Sequence, residues 1–169
     1  YPNTTDVTIN YKKWLTEKQT RIQETKQGFS KNWQEYTFTL SDCSNTNADI
    51  FTAAIKPSYL GQNGCIYIDD VEIFQKSNQN KTLICQYNFD KNELWTFGSN
   101  DNSGKVSYIT TDGFNKKGCL KVQGTKSWAW LAAPKQIPLD KNCEYIIKFR
   151  IKTENQLSNC KASFGVDLA

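Results

Sequence analysis

Asp69 and Asp70 stand side by side in the stretch GCIYIDDVEIF, residues 64–74, which is otherwise largely apolar. Such a run predicts a buried strand, where an ionised carboxylate is costly unless hydrogen bonds or an opposite charge compensate it. Because successive side chains of a strand point to opposite faces, we expect that the two aspartates do not share one partner. At least one of them therefore needs a strong partner of its own, and a cation would supply it.

The chain of 169 residues contains no histidine. This removes the commonest general base, the Ser/His and Cys/His nucleophile pairs, and imidazole metal ligands. Carboxylate pairs exist, but nothing in the sequence places two of them at the roughly 5–9 Å separation that glycoside hydrolysis requires. We therefore expect a binding protein and not an enzyme.

Charge, hydropathy and length indicate which partners and how many domains to expect. Charged residues make up 22% of the chain, the net charge is only +4, and the lysines are scattered instead of clustered. This pattern does not indicate a nucleic-acid partner. No apolar run approaches the ~20 residues of a membrane span, so we expect no membrane insertion. A single domain is expected at this length.

The cysteines indicate an oxidising environment. The chain has six of them, with no C-x-x-C pair that would favour zinc or a redox motif: Cys43, Cys65, Cys85, Cys119, Cys143 and Cys160. Glycosylation sequons begin at Asn3 and Asn80. No signal-peptide pattern opens the chain, and we expect a mature, secreted or cell-surface fragment with disulfides.

Period-two alternation recurs along the chain and sustained helical periodicity is nearly absent, which predicts an all-β fold. The predicted strands cover residues 6–11, 35–40, 50–55, 65–74, 83–89, 106–110, 119–123, 127–133, 144–153 and 162–168. This number of strands favours two packed antiparallel sheets, a β-sandwich or jelly roll. Residues 14–26 fit either a short helix or a solvated connection. The polar stretch QKSNQNK, residues 75–81, is interpreted as a linker.

Five stretches carry a resemblance to a known family: WQEYTFT at 33–39, YIDDVEI at 67–73, NFD at 88–90 followed by Trp95, GCLKV at 118–122 and YIIKFRIK at 145–152. The chain resembles the jelly-roll carbohydrate-binding modules of families four, nine and twenty-two, which accompany cellulases and xylanases. In those modules the last three stretches come first. Residues 1–74 therefore resemble the C-terminal half of a module, and residues 82–169 the N-terminal half.

Three explanations of the exchanged order stay open: a circular permutation, a fragment that spans two neighbouring modules, or one period of a tandem array. An array is favoured because residues 162–169 followed by residues 1–11 would read as two strands joined by a Pro-Asn turn. The partners expected on this basis are a polysaccharide or glycan and, in an array, further copies of the chain. The competing function is a purely structural repeat of an extracellular fibre, since unpaired strand edges attract a second chain.

The resemblance also implies a structural calcium ion and one disulfide. Carried over residue by residue, the calcium ligands would be Asp69, Asp70 and Asp90, which offer oxygen atoms suited to a hard cation. Asp90 stands where a longer glutamate is usual. The alternative is that these carboxylates accept backbone N–H bonds or pair with lysines. The implied disulfide joins Cys65 to Cys119, and the other pairings stay unassigned.

A sugar ring presents an apolar C–H face and a rim of hydroxyls, so its site combines exposed aromatic rings with polar side chains. From the phase of their strands, the candidates are Trp14, Trp128 and Trp130, supported by Tyr108 and Arg150. The alternative for each tryptophan is packing in the core. Trp33 and Trp95 are assigned to packing from the outset.

Overall fold

The computed structural model describes residues 7–8, 21–93, 95–154 and 157–169, and the side chains of residues 30–93, 95–154 and 164–169. Strands are nearly the only regular secondary structure among the described residues, which confirms the predicted all-β class. The strands are β1 Val7–Thr8, β2 Arg21–Phe29, β3 Gln34–Leu40, β4 Ile50–Lys56, β5 Cys65–Ser77, β6 Asn80–Tyr87, β7 Thr96–Ser99, β8 Lys105–Ile109, β9 Cys119–Gln123, β10 Ala129–Ala132, β11 Ile137–Pro138, β12 Glu144–Thr153 and β13 Leu157–Leu168. A 3-10 turn covers Cys43–Asn45. None of the described residues forms a helix long and apolar enough to cross a membrane.

The strands form two antiparallel sheets packed face to face, as predicted for a β-sandwich. Sheet A has the order β1-β2-β13-β4-β10-β7, with β11 added to β4. Sheet B has the order β3-β12-β5-β9-β8, and β6 pairs with the C-terminal half of β5. The core lies between the two sheets.

Alternation along each strand builds this core. On β12, Tyr145, Ile147, Phe149 and Ile151 are fully buried, whereas the residues between them are only half-buried. These side chains meet the buried aromatic residues of sheet A, and the Phe149 and Phe164 rings lie 5.5 Å apart between centroids. The period-two pattern of the sequence thus translates directly into an apolar inner face and a polar outer face.

The two halves of the sequence interleave within the same sandwich. In sheet B, β3 pairs with β12 over seven residue pairs, from Leu40 opposite Tyr145 to Gln34 opposite Ile151. In sheet A, β4 lies between β13 and β10. Strands from residues 1–74 are therefore completed by strands from residues 82–169 of the same chain.

The linker prediction for residues 75–81 is wrong. Ser77 pairs with Asn80, so these residues form the tip of a β5–β6 hairpin with a two-residue turn, in which Asn78 has a φ of 51°. Asparagine tolerates this left-handed conformation, which such hairpin turns require. The tip is polar because it extends past the core, and composition alone does not distinguish it from a linker. Part of the unassigned segment 14–26 falls in β2, and the rest lies outside the described residues.

Candidate functional site

The two adjacent aspartates lie on the same side of sheet B, not on opposite faces as expected from regular alternation. Ile68 and Val71 are both fully buried in the core, although two residues separate them. The pairing of β5 with β12 slips at this point, and Asp70 takes a φ of 50°. An extra residue of this kind is a β-bulge, which turns both carboxylates to the outer face.

Asp69 is nearly fully buried, and protein donors bind both of its carboxylate oxygens. Its Oδ1 accepts the backbone N–H of Asp70 and its Oδ2 accepts that of Phe114, each at 2.7 Å. Burial raises the pKa of Asp69 to about 6, although the two N–H bonds oppose this shift. The carboxylate therefore fastens the loop before β9 to the bulge of β5. This matches the alternative weighed from the sequence, in which backbone N–H groups satisfy the carboxylates.

The other two predicted calcium ligands contact cations of the protein itself. Asp70 lies 3.5 Å from Arg150 Nε and accepts Gln86 Nε2 at 3.3 Å. Asp90 lies 3.4 Å from Lys117 Nζ. Among the described residues no group of three or more His, Cys, Asp or Glu side chains is arranged to hold a metal ion. The residues present therefore do not fit a calcium centre as they stand.

Cys65 and Cys119 are separate thiols and lie too far apart along their strands to form the disulfide implied by the resemblance, so this prediction is wrong. The register explains why. Cys65 lies opposite Gln123 and Ile68 lies opposite Leu120, which puts Cys119 four positions away along the neighbouring strand. At ~3.3 Å per residue this separation far exceeds the reach of a disulfide.

Trp128 and Trp130 come together on the outer face of sheet A. On β10, Ala129 and Leu131 are fully buried, and Trp130 points the other way and is half-buried. The Trp128 and Trp130 rings lie 5.0 Å apart between centroids at an angle of 37°, and Lys56 Nζ lies 5.0 Å from the centre of the Trp128 ring. We call Lys56, Trp128 and Trp130, with Tyr59, the aromatic platform.

Tyr59, in the loop after β4, adjoins the two tryptophans through its backbone and was not predicted from the sequence. It is 66% exposed, the most exposed of the large apolar side chains described, and it has a φ of 55°. Its N–H donates to Ser127 O at 3.1 Å, next to Trp128. The preceding Ser58 Oγ accepts the N–H of Ala129 at 2.9 Å. Strain of this kind at an exposed aromatic residue is typical of a functional site. In the sequence, the stretch PSYLG places an aromatic residue between turn-forming residues. It shows no periodicity from which the exposure of Tyr59 could be predicted.

A polar rim borders the platform. Asp101 Oδ1 accepts Ser127 Oγ at 2.7 Å and the N–H of Ser103 at 3.0 Å. Hydrogen bonds from the Ser103 hydroxyl, the Ser127 hydroxyl and the Ser103 N–H lower the pKa of Asp101 to about 2, so the exposed carboxylate stays ionised. The N–H of Asn100 donates to Trp128 O at 3.0 Å. The loop after β7 thus places a carboxylate beside Ser127, next to Trp128 in the chain, while Lys56 places a positive charge over the Trp128 ring.

The other predicted sugar-binding residues lie elsewhere. Arg150 is on the outer face of sheet B, paired with Glu35 at 3.4 Å and stacked 4.0 Å from the centre of the Phe114 ring. Tyr108 packs against the core and its hydroxyl donates to Phe89 O at 2.6 Å. Trp14 lies outside the described residues. The five candidates therefore do not form one site.

Trp33 and Trp95 both pack, as assigned from the sequence, but in different places. Trp95 is buried in the core beside Tyr87, with 5.1 Å between ring centroids. Trp33 is half-buried on the outer face of sheet B, against a small cluster around Tyr67. Lys152 Nζ covers the Trp33 ring at 5.1 Å.

A polar pocket of about 340 Å³ lies at one end of sheet B. Its lining residues are Gln62, Asn63, Gly64, Cys65, Lys121, Gln123 and Glu154. Lys121 Nζ and Glu154 Oε1 pair at 3.1 Å, and the Tyr67 hydroxyl donates to the same carboxylate. No aromatic ring lines this pocket, so it offers hydrogen bonds without a stacking surface.

No model of a known protein family matches the chain, and no curated protein matches it.

Proposed function

We propose that the protein is a non-catalytic, extracellular carbohydrate-binding β-sandwich that holds a glycan on the aromatic platform. The observation that supports this most directly is the tilted pair of half-buried tryptophans, Trp128 and Trp130, on the outer face of a sheet. An indole placed there does not contribute to the core. Its apolar face is suited to another apolar, flat partner.

The polar groups around the platform match the remaining chemistry of a sugar. Lys56 places an ammonium group over the Trp128 ring, and Asp101 places a carboxylate beside Ser127. A sugar hydroxyl both donates and accepts hydrogen bonds. A rim that holds an ammonium group and a carboxylate therefore suits a sugar better than it suits a purely apolar ligand. The electron-rich indole faces also attract the slightly positive C–H groups of a pyranose ring.

The extracellular setting is supported by the sequence. The sequon at Asn80 lies at the tip of the β5–β6 hairpin and its side chain is exposed, which leaves room for an attached glycan. Asn3 lies outside the described residues. The resemblance to family four, nine and twenty-two modules supports the same assignment.

Binding is tested by titrating the protein with a panel of plant, algal and microbial polysaccharides in affinity electrophoresis and calorimetry. We expect at least one neutral polysaccharide to bind, and Trp130→Ala to weaken that binding about tenfold or more. Trp33→Ala is the matched control, because it removes a half-buried tryptophan from the other sheet. Equal losses in both variants, or no binding to any polysaccharide, would reject the proposal.

The alternative function is a structural repeat of an extracellular array. Since β4 has partners on both sides and β3 pairs with β12 within the same chain, an array would have to form through open strand edges, such as the outer edge of β3. Analytical ultracentrifugation over a range of concentrations distinguishes the two functions. Assembly without glycan binding would favour the structural repeat.

A further inference from the structure

Two cysteines close the same end of the sandwich core. Leu40 of β3 pairs with Tyr145 of β12, and both are fully buried. Beyond this pair, Cys43 follows Leu40 and Cys143 precedes Tyr145. Cys43 is 2% exposed and Cys143 is 7% exposed, and both belong to the main core cluster. The two side chains therefore enter the same end of the core from neighbouring strands.

The local backbone explains how Cys43 reaches this position. If the β3–β12 ladder continued in register, residue 42 would face Cys143. Asp42 instead has a φ of 55°, which turns the chain into the 3-10 turn that begins at Cys43. This turn buries Cys43 and leaves Asp42 exposed, so that a cysteine enters the end of the core that Cys143 also enters.

A lysine ties the two segments together. Lys141 Nζ donates to Thr46 O at 3.0 Å and to Ala48 O. Lys141 precedes β12, and the two carbonyls follow the 3-10 turn. The loops that carry Cys43 and Cys143 are thus held side by side by contacts that do not involve sulfur.

The two thiols are separate in the structure and make only weak contacts. Cys43 Sγ donates to Leu40 O at 3.9 Å, and Cys143 Sγ accepts Gln75 Nε2 at 3.4 Å. The other cysteines whose side chains are described have no comparable neighbour. Cys65 and Cys119 are offset by four positions, and Cys85 lies opposite Ile73.

We propose that Cys43 and Cys143 form a disulfide when the protein folds in the presence of a disulfide oxidant such as glutathione disulfide. The two thiols lose two protons and two electrons as the S–S bond forms, and the oxidant is reduced to two glutathione thiols. Joining them requires that both sulfurs leave their present weak contacts. The inference does not rest on glycan binding.

Burial determines when this bond forms. Desolvation raises the pKa of the Cys43 thiol to about 11, so the folded protein holds little of the reactive thiolate at neutral pH. Oxidation is therefore expected during folding, while both sulfurs are still in water. Once formed, the buried bond is protected from external thiols. Native reduced protein should oxidise slowly, and refolding protein should oxidise quickly.

The bond is tested by refolding denatured, reduced protein in a glutathione redox buffer, blocking free thiols with an alkylating reagent and mapping non-reduced peptides by mass spectrometry. Trypsin leaves Cys43 and Cys65 in one peptide because the Lys56–Pro57 bond resists cleavage. A second protease that cuts after Phe51 and Tyr59 separates them. We expect one cross-linked peptide pair that joins Cys43 to Cys143, with Cys65 and Cys119 alkylated.

Stability provides the second measurement. A Cys43–Cys143 bond closes a loop of about 100 residues, which restricts the unfolded chain, and we expect the melting temperature to rise by about 5–15 °C on oxidation. Cys43→Ala should lower the melting temperature of the reduced protein, because it removes a buried sulfur from the core, and should abolish the rise on oxidation. Cys65→Ala should keep the rise. Alkylated Cys43 and Cys143 after refolding, or a cross-link from either to another cysteine, would overturn the proposal.

Discussion

The indole of Trp130 on β10 lies over the backbone of Gly98, its cross-strand partner on β7. A Cβ added at Gly98 would stand 2.1 Å from the ring, well inside van der Waals contact. The glycine is therefore part of the aromatic platform, because it gives the ring a flat surface on which to lie.

Gly98→Ala should weaken glycan binding about tenfold while the free energy of unfolding changes by less than about 1 kcal/mol. The added methyl group displaces the partly exposed Trp130 ring, which is free to rotate away, and alanine in a strand offsets part of any lost packing. Thr96→Ala, on the same strand, is the control and should leave binding unchanged. Calorimetric titration with the best-binding polysaccharide, together with urea unfolding, measures both quantities. A large loss of stability in Gly98→Ala would show that Trp130 serves the fold and not a ligand.

Tyr59 provides a test of strain at the platform. Its φ of 55° is unfavourable for any residue with a side chain, and glycine relieves that strain at the expense of a more flexible unfolded chain. Tyr59→Gly should therefore be equally stable or up to about 1 kcal/mol more stable, yet bind glycan more weakly. Tyr59→Phe should retain binding, because the ring carries the contact. Thermal unfolding and titration of both variants check this, and unchanged binding in Tyr59→Gly would remove Tyr59 from the site.

The sequence predicts which side of a strand faces the core, but not which sheet the strand joins. Arg150 and Trp130 were both assigned to outer faces, and both lie there, on opposite sheets of the sandwich. Their separation depends on strand order, and a period-two pattern carries no information about order. The candidates from different strands therefore could not be grouped into one site by phase alone.

Local backbone geometry accounts for the other differences. The bulge at Asp70 needs a left-handed residue, and nothing in the letters IDDV marks where alternation fails. Cys65 lies opposite Gln123 because of the register between β5 and β9. A resemblance between motifs does not determine that register to within four residues. Tyr59 lies in a loop, where no periodicity exists to be read. By contrast, the apolar-polar alternation of IKFRIK, residues 147–152, coincides residue by residue with the buried and half-buried positions of β12.

Calcium is expected to have no effect on stability. The oxygens of Asp69 accept backbone N–H bonds, and Asp70 and Asp90 contact Arg150 and Lys117, so a cation would have to displace these partners. Melting temperatures in millimolar calcium and in excess chelator should therefore agree. A saturable rise with calcium that Asp70→Ala abolishes would instead establish the ion implied by the resemblance, since a ligand that binds only the folded state raises its stability by mass action.

Asp69 should make the protein more stable in mild acid than at neutral pH. Its pKa is raised from 3.8 to about 6 in the folded state, so between these values the folded protein binds a proton more readily than the unfolded chain. The free energy of unfolding should therefore rise as the pH falls from about 7 to about 4 and then level off with respect to this group. The shift corresponds to at most about 3 kcal/mol, which solvent screening reduces to about 1–2 kcal/mol.

Asp69→Asn is the control, because it cannot titrate. We expect Asp69→Asn to be less stable than the wild type at every pH, since its amide NH₂ faces one of the two N–H donors. The pH dependence that Asp69 contributes to the free energy of unfolding should be absent from this variant. Urea unfolding from pH 4 to pH 7 measures both profiles, and parallel curves for the wild type and Asp69→Asn would show that another group carries the pH dependence.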